Sequence, residues 1–171
     1  MKNLIIYYSR KGENYVNGQI KNLIKGNTEI CAEFIQKSVG GDLFEVETVD
    51  SYSNDYNICT KEALNELKNK VHKDLIRYLD NIDEYNNIFI CGPCWWNTFP
   101  MAIFSLIEGL NFSGKKVTVL MTHEGSGLGN SENDIKRICK GAIFEKGIAI
   151  HGADSLKSEA IIARWAKNIV K

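Results

Sequence analysis

The chain has 171 residues, of which 44% are hydrophobic and 25% are charged, and this length and composition predict one soluble globular domain over residues 1–171. Lysine plus arginine and aspartate plus glutamate balance at 21 each, so the formal net charge is zero. That balance argues against nucleic-acid binding through bulk positive charge. No apolar run approaches the roughly 18 residues that span a bilayer, so we expect no membrane contact.

The chain starts with Met1, Lys2 and Asn3, and the apolar run 4–8 follows. A run of this length is shorter than the about 7 to 15 residues of a signal-peptide core, so we interpret it as a buried strand and expect a cytoplasmic protein. Five cysteines lie at positions 31, 59, 91, 94 and 139 without metal-site spacing beyond one CxxC. For a cytoplasmic chain we expect them to be reduced thiols.

Five segments have the composition of strands. Leu4–Tyr8, Ile88–Cys91 and Val117–Met121 are nearly continuous apolar runs, which indicate strands covered on both faces of a parallel sheet. Leu43–Glu47 and Ile143–Ile150 are more mixed, as is typical of edge strands. Between and after these segments, apolar residues recur at helical spacing. This spacing predicts helices over 28–39, 61–79, 101–110, 131–139 and 155–170.

This alternation of strand and helix predicts a doubly wound α/β fold with five parallel strands and helices on both faces. The apolar strands are the first, third and fourth, which matches the flavodoxin-like strand order 2-1-3-4-5. Residues 10–25 form an unusually long connection between the first strand and the first helix, and such loops are often functional. This insertion folds over a ligand, meets a partner, or is a solvated surface loop.

Ligands of open parallel sheets bind beyond the carboxyl ends of the strands, where the strand order reverses. The first loop there starts at Ser9 and Arg10 and ends at Gly26, Asn27 and Thr28. Asn27 or Thr28 suits a helix cap, and the free N–H groups of a helix start suit a phosphate. Capping of the helix alone, without any phosphate, also explains these residues. The chain has no GxxxxGK[ST] motif, so we do not expect a nucleotide triphosphate.

The second and third loops follow the third and fourth strands. The second contains Trp95 and Trp96, whose broad π faces suit a flat aromatic ligand, although packing against the sheet edge or the next helix explains either one alone. The third, residues 122–130, contains three glycines that let the backbone approach a ligand. Taken alone, His123 is expected to make a structural hydrogen bond, and Glu124 is expected to be a solvated charge on the surface. Together the three loops predict a flat ligand that carries phosphate, namely flavin mononucleotide (FMN).

Six segments of the chain carry a resemblance to a known family, namely IIYYSR, GNTE, DLFEVE, GPCWWNTFPMAIFSLIE, FSGK and THEGSGLGNSENDI. Over nearly its whole length, and in the same order, the sequence resembles the flavodoxin family. The six segments are most similar to a branch with a P-x-W-W loop and a T-H-E-G-S-G loop, in which a variant with RKGENYVNGQI also occurs. The chain departs from the branch in its Asn97, where glycine is usual, and in Gly92 and Cys94.

The resemblance implies FMN as cofactor, with site residues in three groups. The phosphate would be held by Ser9, Asn27 and Thr28, with Arg10. The isoalloxazine ring would be flanked by Pro93, Trp95, Trp96, Asn97 and Thr98. The other side of the ring and its pyrimidine edge would be lined by Thr122, His123, Glu124, Gly125, Ser126 and Gly127.

A thioredoxin-like dithiol centre is an alternative, because Cys91 and Cys94 form a CxxC motif. In such a centre the first cysteine opens a helix, whereas Cys91 ends an apolar strand and no helix is expected before Pro100. We therefore expect Cys91 to be buried and inert, and Cys94 to be the more exposed thiol, beside the flavin.

Three functions remain open at this stage. The first is an FMN-binding electron carrier that works with redox partner proteins or with a small-molecule acceptor. The second is an FMN-dependent NAD(P)H oxidoreductase that acts on quinones or small molecules, with His123 as a proton donor. The third is a binding module that kept the fold and lost tight flavin binding. The sequence leaves the oligomeric state open.

Overall fold

The computed structural model describes all residues from Met1 to Lys171. Its strands are β1 (Asn3–Tyr7), β2 (Gly12–Val16), β3 (Gln19–Leu23), β4 (Asp42–Glu45), β5 (Asn87–Pro93), β6 (Lys116–His123), β7 (Ile143–Phe144) and β8 (Ile148–His151). Its helices are α1 (Asn27–Val39), α2 (Tyr56–Asn69), α3 (Met101–Ile107), α4 (Ser131–Ile138) and α5 (Glu159–Ile169), and a 3₁₀ segment spans Gly152–Lys157.

The main sheet is parallel and has the order β4-β1-β5-β6-β7, with β8 also paired to β6. Counted by the predicted segments this order is 2-1-3-4-5, so the predicted flavodoxin-like fold is confirmed. The strand order reverses between β1 and β5, because β4 lies on one side of β1 and all later strands lie on the other. None of the helices is long and apolar enough to cross a membrane.

Two apolar layers cover the sheet, and alternating side chains of β1 enter one or the other. Ile5 and Tyr7 pack with apolar residues of α1 and α5 on one face. Leu4 and Ile6 pack with residues of α3 and α4 on the other face. This alternation follows from the pleat of a strand, and it explains why the central strands are apolar at every position.

The prediction of one continuous strand over Ile143–Ile150 is wrong, because this segment forms two separate strands, β7 and β8. Gly147 lies in the gap between them and approaches β6 closely. A Cβ at Gly147 would lie 2.5 Å from Cγ2 of Val119 and 2.8 Å from its carbonyl oxygen. The N–H of Gly147 turns away from the ladder and donates to Oε1 of Glu132 at 2.8 Å.

The second helix differs from the prediction over 61–79. It begins earlier, at Tyr56, where Oδ1 of Asp55 accepts a hydrogen bond from the N–H of Ile58 at 2.9 Å. It also ends earlier, because Lys70 adopts a left-handed conformation with φ 51°. Leu75 lies beyond the helix and is buried in the core from an irregular segment. Its apolar spacing therefore reflects core packing rather than helical periodicity.

The insertion 10–25 is not a loop but an antiparallel hairpin of β2 and β3. Asn17 and Gly18 form its two-residue turn, with φ values of 50° and 80°. Positive φ at both central residues defines a type I′ turn, for which Asn-Gly is the preferred sequence. The hairpin forms a separate two-stranded sheet beside the main one.

Candidate functional site

The carboxyl ends of β1, β5 and β6 meet at one edge of the sheet, next to the reversal of strand order. The start of α1 lies at the same edge. Thr28 of α1 and Thr122 of β6 are both buried, and their hydroxyl oxygens are 2.8 Å apart. This hydrogen bond joins the first and third predicted loops, as the parallel topology requires.

The start of α1 presents backbone N–H groups to this edge. Gly26 is the N-cap residue, and Oγ of Ser9 accepts a hydrogen bond from the N–H of Glu29 at 3.0 Å. The N–H groups of the first helical turn have no partners within the helix, and the helix dipole favours an anion beside them. A Cβ at Gly26 would lie 2.1 Å from Oγ of Ser9, so the approach of the two loops requires glycine here.

Two adjoining cavities occupy the crevice beside the start of α1. The smaller has a volume of about 100 Å³ and is polar. Eight of the predicted site residues line it, namely Arg10, Asn27, Thr28, Pro93, Trp95, Thr122, His123 and Glu124. Its size and its position suit the phosphate end of a ligand.

The larger cavity has a volume of about 550 Å³, within the range of roughly 300–1,000 Å³ that is typical of small-molecule sites. The predicted residues that line it are Arg10, Trp95, Trp96, Asn97 and Ser126. Its opposite wall is formed by α2, with Tyr56, Cys59, Thr60 and Ala63. Trp95 lines both cavities, so the two form one crevice with a polar and an aromatic end.

Trp95 is braced from the core side by two tyrosines. Its ring centroid lies 5.4 Å from that of Tyr8 and 4.9 Å from that of Tyr52, both in edge-to-face geometry. Oη of Tyr52 in turn donates to Oε2 of Glu66 on α2 at 2.6 Å. A braced aromatic ring is a preorganised surface for stacking, since little side-chain entropy remains to be lost on binding.

Trp96 and Asn97 form a tight turn with positive φ angles of 53° and 70°. Trp95 and Thr98 close the turn with backbone hydrogen bonds of 2.8 and 3.3 Å. Nε1 of Trp96 donates to the carbonyl oxygen of Thr60 at 2.9 Å, which ties the turn to α2. Left-handed geometry is costly for tryptophan, and such local strain is often found at binding sites.

The hairpin covers the polar end of the crevice. Tyr15 of β2 stacks on Tyr56 of α2, with ring centroids 6.1 Å apart and planes 26° apart. Oε2 of Glu13 accepts a hydrogen bond from the N–H of Tyr56 at 2.8 Å. At the tip, the N–H of Asn17 donates to Oε2 of Glu124 at 2.9 Å. Of the alternatives for the insertion, the geometry favours a cover over the crevice.

Arg10 has a structural role that the sequence does not suggest. It is buried, and its Nε donates to the carbonyl oxygen of Glu13 at 2.8 Å. Its Nη2 donates to the carbonyl oxygens of Ser53 and Asn54, each at 2.9 Å. These bonds join the hairpin to the segment before α2, so the guanidinium is bonded to backbone carbonyl groups while Arg10 also lines both cavities.

Two histidines and a carboxylate lie at the end of β6. The His123 and His151 rings are in edge-to-face contact with centroids 5.8 Å apart. Nδ1 of His123 accepts from the N–H of Gly125 at 2.9 Å, and Nε2 of His151 lies 3.4 Å from Oε2 of Glu124. Burial, and then the neighbouring His151, lower the pKa of His123 below its ordinary value of 6.5. His123 is therefore predominantly neutral at pH 7.

Four predicted residues lie outside the crevice. Ser9 lines a separate cavity on the far side of Arg10 and caps α1. Thr98 is buried and donates to Oδ2 of Asp134 at 2.7 Å, which orients it away from both cavities. Gly125 and Gly127 line neither cavity, and their positive φ angles of 148° and 61° serve to turn the loop.

The sequence reasoning missed the residues that the insertion and α2 contribute to the crevice. The Asn17-Gly18 dipeptide between alternating segments was a hairpin signal that could have placed Asn14 and Tyr15. The α2 residues carry no comparable signal, because their distance from the loops depends on the long connection between β4 and β5. The residues missed are Asn14, Tyr15, Tyr56, Cys59, Thr60, Ala63, His151 and Gly152.

The CxxC motif does not have the geometry of a dithiol centre. Cys91 lies within β5 and is completely buried, and the strand continues to Pro93. Burial raises the pKa of the Cys91 thiol well above its ordinary value. Cys94 is partly exposed and lines the crevice, but burial raises its pKa too. Neither thiol is activated, and all five cysteines are unpaired.

The chain is similar to several known proteins. A family model described as Flavodoxin matches residues 22–169. A crystal structure of a candidate flavoprotein from Bacteroides eggerthii is 26% identical, with a TM-score of 0.77, over 99% of this chain and 98% of that chain. Another, from Bacteroides uniformis, is 25% identical, with a TM-score of 0.75, over 97% of each chain.

A flavoprotein from Lactobacillus acidophilus, crystallised in complex with FMN, has the same fold. It is 20% identical, with a TM-score of 0.65, over 96% of this chain and 98% of that chain. No curated protein matches the chain. Because the family model spans most of the chain, from β3 to the end of α5, the protein belongs to the flavodoxin family.

Proposed function

We propose that this protein binds FMN non-covalently in the crevice and transfers electrons. The observation that carries the proposal is the junction of a polar cavity at the start of α1 with an aromatic cavity beside Trp95. FMN has the matching order of groups, with a phosphate at one end and a flat ring at the other. Membership of the flavodoxin family and the FMN complex of the Lactobacillus protein support the same cofactor.

The residues present suit FMN at both ends. The N–H groups at Asn27 and Thr28 would hold the phosphate, with the favourable dipole of α1 behind them. Trp95 would stack on the ring, and Trp96 and the α2 wall would exclude water from it. FMN supplies the redox chemistry when bound, and the protein binds, orients and shields it. Within the family we place the chain in the branch with P-x-W-W and T-H-E-G-S-G loops.

An FMN-dependent NAD(P)H oxidoreductase that acts on quinones or other small molecules is the second candidate. It is favoured by the hairpin and α2, which enclose the crevice where a partner protein would otherwise approach the ring. The zero net charge gives no long-range field to steer a charged partner protein, which also favours a small acceptor. The unpaired cysteines suit the reducing environment of the cytoplasm, which we propose as the location.

Titration of the purified apoprotein with FMN tests the proposal. We expect saturable binding of one FMN per chain, with quenching of tryptophan and flavin fluorescence. Trp95→Ala should weaken binding by about tenfold, because stacking contributes about 0.5–1.5 kcal/mol beyond the buried area. Trp165→Phe is the matched control, because Trp165 packs on Phe89 on the other face of the sheet. No binding to the unmodified chain would contradict the proposal and favour a non-redox binding module.

An anaerobic redox titration followed by absorbance separates the two candidates. Two resolved one-electron steps would support an electron carrier, and a single two-electron step would support the oxidoreductase. Steady-state oxidation of NADH or NADPH by the purified holoprotein, with a quinone as acceptor, gives an independent test. Turnover by the holoprotein without an added redox partner protein would favour the oxidoreductase.

A further inference from the structure

Two tyrosines pack edge-to-face on Trp95, and one of them has a proton acceptor. The ring centroid of Trp95 lies 4.9 Å from that of Tyr52 and 5.4 Å from that of Tyr8. Oη of Tyr52 donates to Oε2 of Glu66 at 2.6 Å, which is the length of a strong hydrogen bond from a hydroxyl group to a carboxylate. The hydroxyl group of Tyr8 makes no such bond. The two tyrosines therefore differ in how easily they lose a proton together with an electron.

A cation lies beside the Tyr52–Glu66 pair. Glu66 is buried, and Nζ of Lys73 lies 3.2 Å from its Oε1 and 4.8 Å from the ring centroid of Tyr52. Burial, and then Glu66, raise the pKa of Tyr52 above its ordinary value, so its phenol keeps the proton in the resting protein. Lys73 would repel a positive charge on the ring. Loss of an electron from Tyr52 is thus favourable only when its proton passes to Glu66.

Trp95 connects this pair to the crevice, because Trp95 lines both cavities. Tryptophan and tyrosine are among the side chains that most readily give up one electron, and electrons move rapidly between aromatic rings in contact. At neutral pH a tyrosine with a proton acceptor is easier to oxidise than a tryptophan. We propose that Tyr52 and Glu66 form a one-electron redox site, which receives oxidising equivalents from the crevice through Trp95.

The electrons and the proton balance in this step. An oxidising radical in the crevice takes one electron from Trp95, and Trp95 then takes one electron from Tyr52. The O–H bond of Tyr52 breaks and a new O–H bond forms at Oε2 of Glu66. The products are the reduced oxidant, a neutral radical on Tyr52 and a neutral carboxyl group on Glu66, while Trp95 returns to its original state.

A third cavity gives a small reductant access to the site. It has a volume of about 250 Å³ and is lined by Tyr8 and Tyr52, with Glu47 and Ser51 at its exposed side, and Trp95 does not line it. A thiolate in this cavity returns one electron to Tyr52 and becomes a thiyl radical, and Glu66 returns the proton. The relay therefore carries a damaging radical out of the crevice to the other side of the aromatic cluster.

The site belongs to the chain itself, so the apoprotein tests it without any cofactor. An oxidised ruthenium tris(bipyridine) complex, generated by a laser flash, oxidises the protein, and electron paramagnetic resonance after freeze-quenching identifies the radicals. We expect a tyrosyl signal. Tyr52→Phe, which keeps the ring, should lose that signal and retain a longer-lived tryptophanyl signal. Glu66→Gln should slow formation of the tyrosyl radical about a hundredfold, as for loss of a positioned base.

Tyr8→Phe is the matched control, because Tyr8 is similarly close to Trp95 but has no carboxylate acceptor. It should keep the tyrosyl signal. A tyrosyl signal that survives in Tyr52→Phe, disappears in Tyr8→Phe, or forms at an unchanged rate in Glu66→Gln would overturn the proposal. Failure of the unmodified chain to bind FMN would overturn the proposed function and leave this site unaffected.

Discussion

Tyr15 of the hairpin and Tyr56 at the start of α2 stack with their ring centroids 6.1 Å apart. The contact joins an insertion in the first β–α connection to a helix from the following β–α connection. It lies above the polar cavity, which both side chains line. A two-stranded hairpin is only marginally stable by itself, so contacts of this kind determine how long the hairpin stays packed over the crevice.

Loss of this stack should speed the release of FMN. An aromatic pair contributes about 0.5–1.5 kcal/mol, so Tyr15→Ala should raise the dissociation rate about two- to tenfold. The rate is measured by stopped flow after mixing the holoprotein with excess apoflavodoxin as a trap. Ile24→Ala is the control, because Ile24 belongs to the same insertion and is 97% exposed. Equal release rates for both variants would show that the hairpin does not retain the cofactor.

An added carbon at Gly152 should perturb the polar end of the crevice. A Cβ there would lie within 3 Å of the ends of the Glu124 and Asn27 side chains, which must then shift. Both side chains are flexible, so the shift costs the fold little, but it moves two groups that line the polar end; we expect Gly152→Ala to weaken FMN binding about two- to tenfold, as loss of one hydrogen bond would. Gly109→Ala is the control, since its nearest neighbour would lie at 3.9 Å. Titration with FMN measures both, and an unchanged Gly152→Ala would refute the expectation.

The left-handed turn at Trp96 and Asn97 predicts which variants of Asn97 lower the stability of the protein. Asn97 has a φ of 70°. Alanine is disfavoured by about 1–2 kcal/mol in left-handed geometry, whereas glycine and asparagine tolerate it. Asn97→Ala should therefore lower the free energy of unfolding by about 1 kcal/mol, and Asn97→Gly should change it by less than about 0.5 kcal/mol. Urea denaturation of the apoprotein checks this, and the reverse order would contradict it.

His123 should make the apoprotein less stable in mild acid. Burial and His151 lower its pKa in the folded state, with Glu124 as a smaller opposing influence. The unfolded chain then binds the proton more tightly, so the cost is absent above about pH 6.5 and grows as the pH falls below it. Urea denaturation between pH 5 and 8 should show a shallower decline for His123→Gln. His72→Gln is the control, because His72 is 54% exposed and lines neither cavity of the crevice. Equal declines would exclude His123 as the cause.

The sequence was informative about the sheet and the loops at its carboxyl edge. The apolar runs around Ile5, Phe89 and Val119 predict central parallel strands, because only residues covered on both faces are apolar at every position. The edge strand 143–150 was predicted less accurately, because its break at Gly147 depends on a close approach to Val119. The local pattern of a segment does not contain such a contact.

The site was predicted best where a residue is positioned by its own strand. Thr122 lies near the end of β6 and Trp95 comes two residues after the end of β5, so topology alone brings them to the crevice. Arg10 also reaches it, but the carbonyl groups that bind its guanidinium come from a distant segment and could not be anticipated. Thr98 belongs to the predicted loop, yet the turn before it directs its hydroxyl to Asp134.

Both margins of the main sheet are short. At one margin, β4 has only four residues, with Asp42 and Glu45 at its ends, and at the other the ladder is interrupted between Phe144 and Ile148. An unpaired strand edge is a template for hydrogen bonding by another chain, and natural proteins limit this hazard with short, charged or broken edges. Neither margin offers an incoming strand a long uninterrupted row of free amides and carbonyls, and this disfavours growth of the sheet into aggregates.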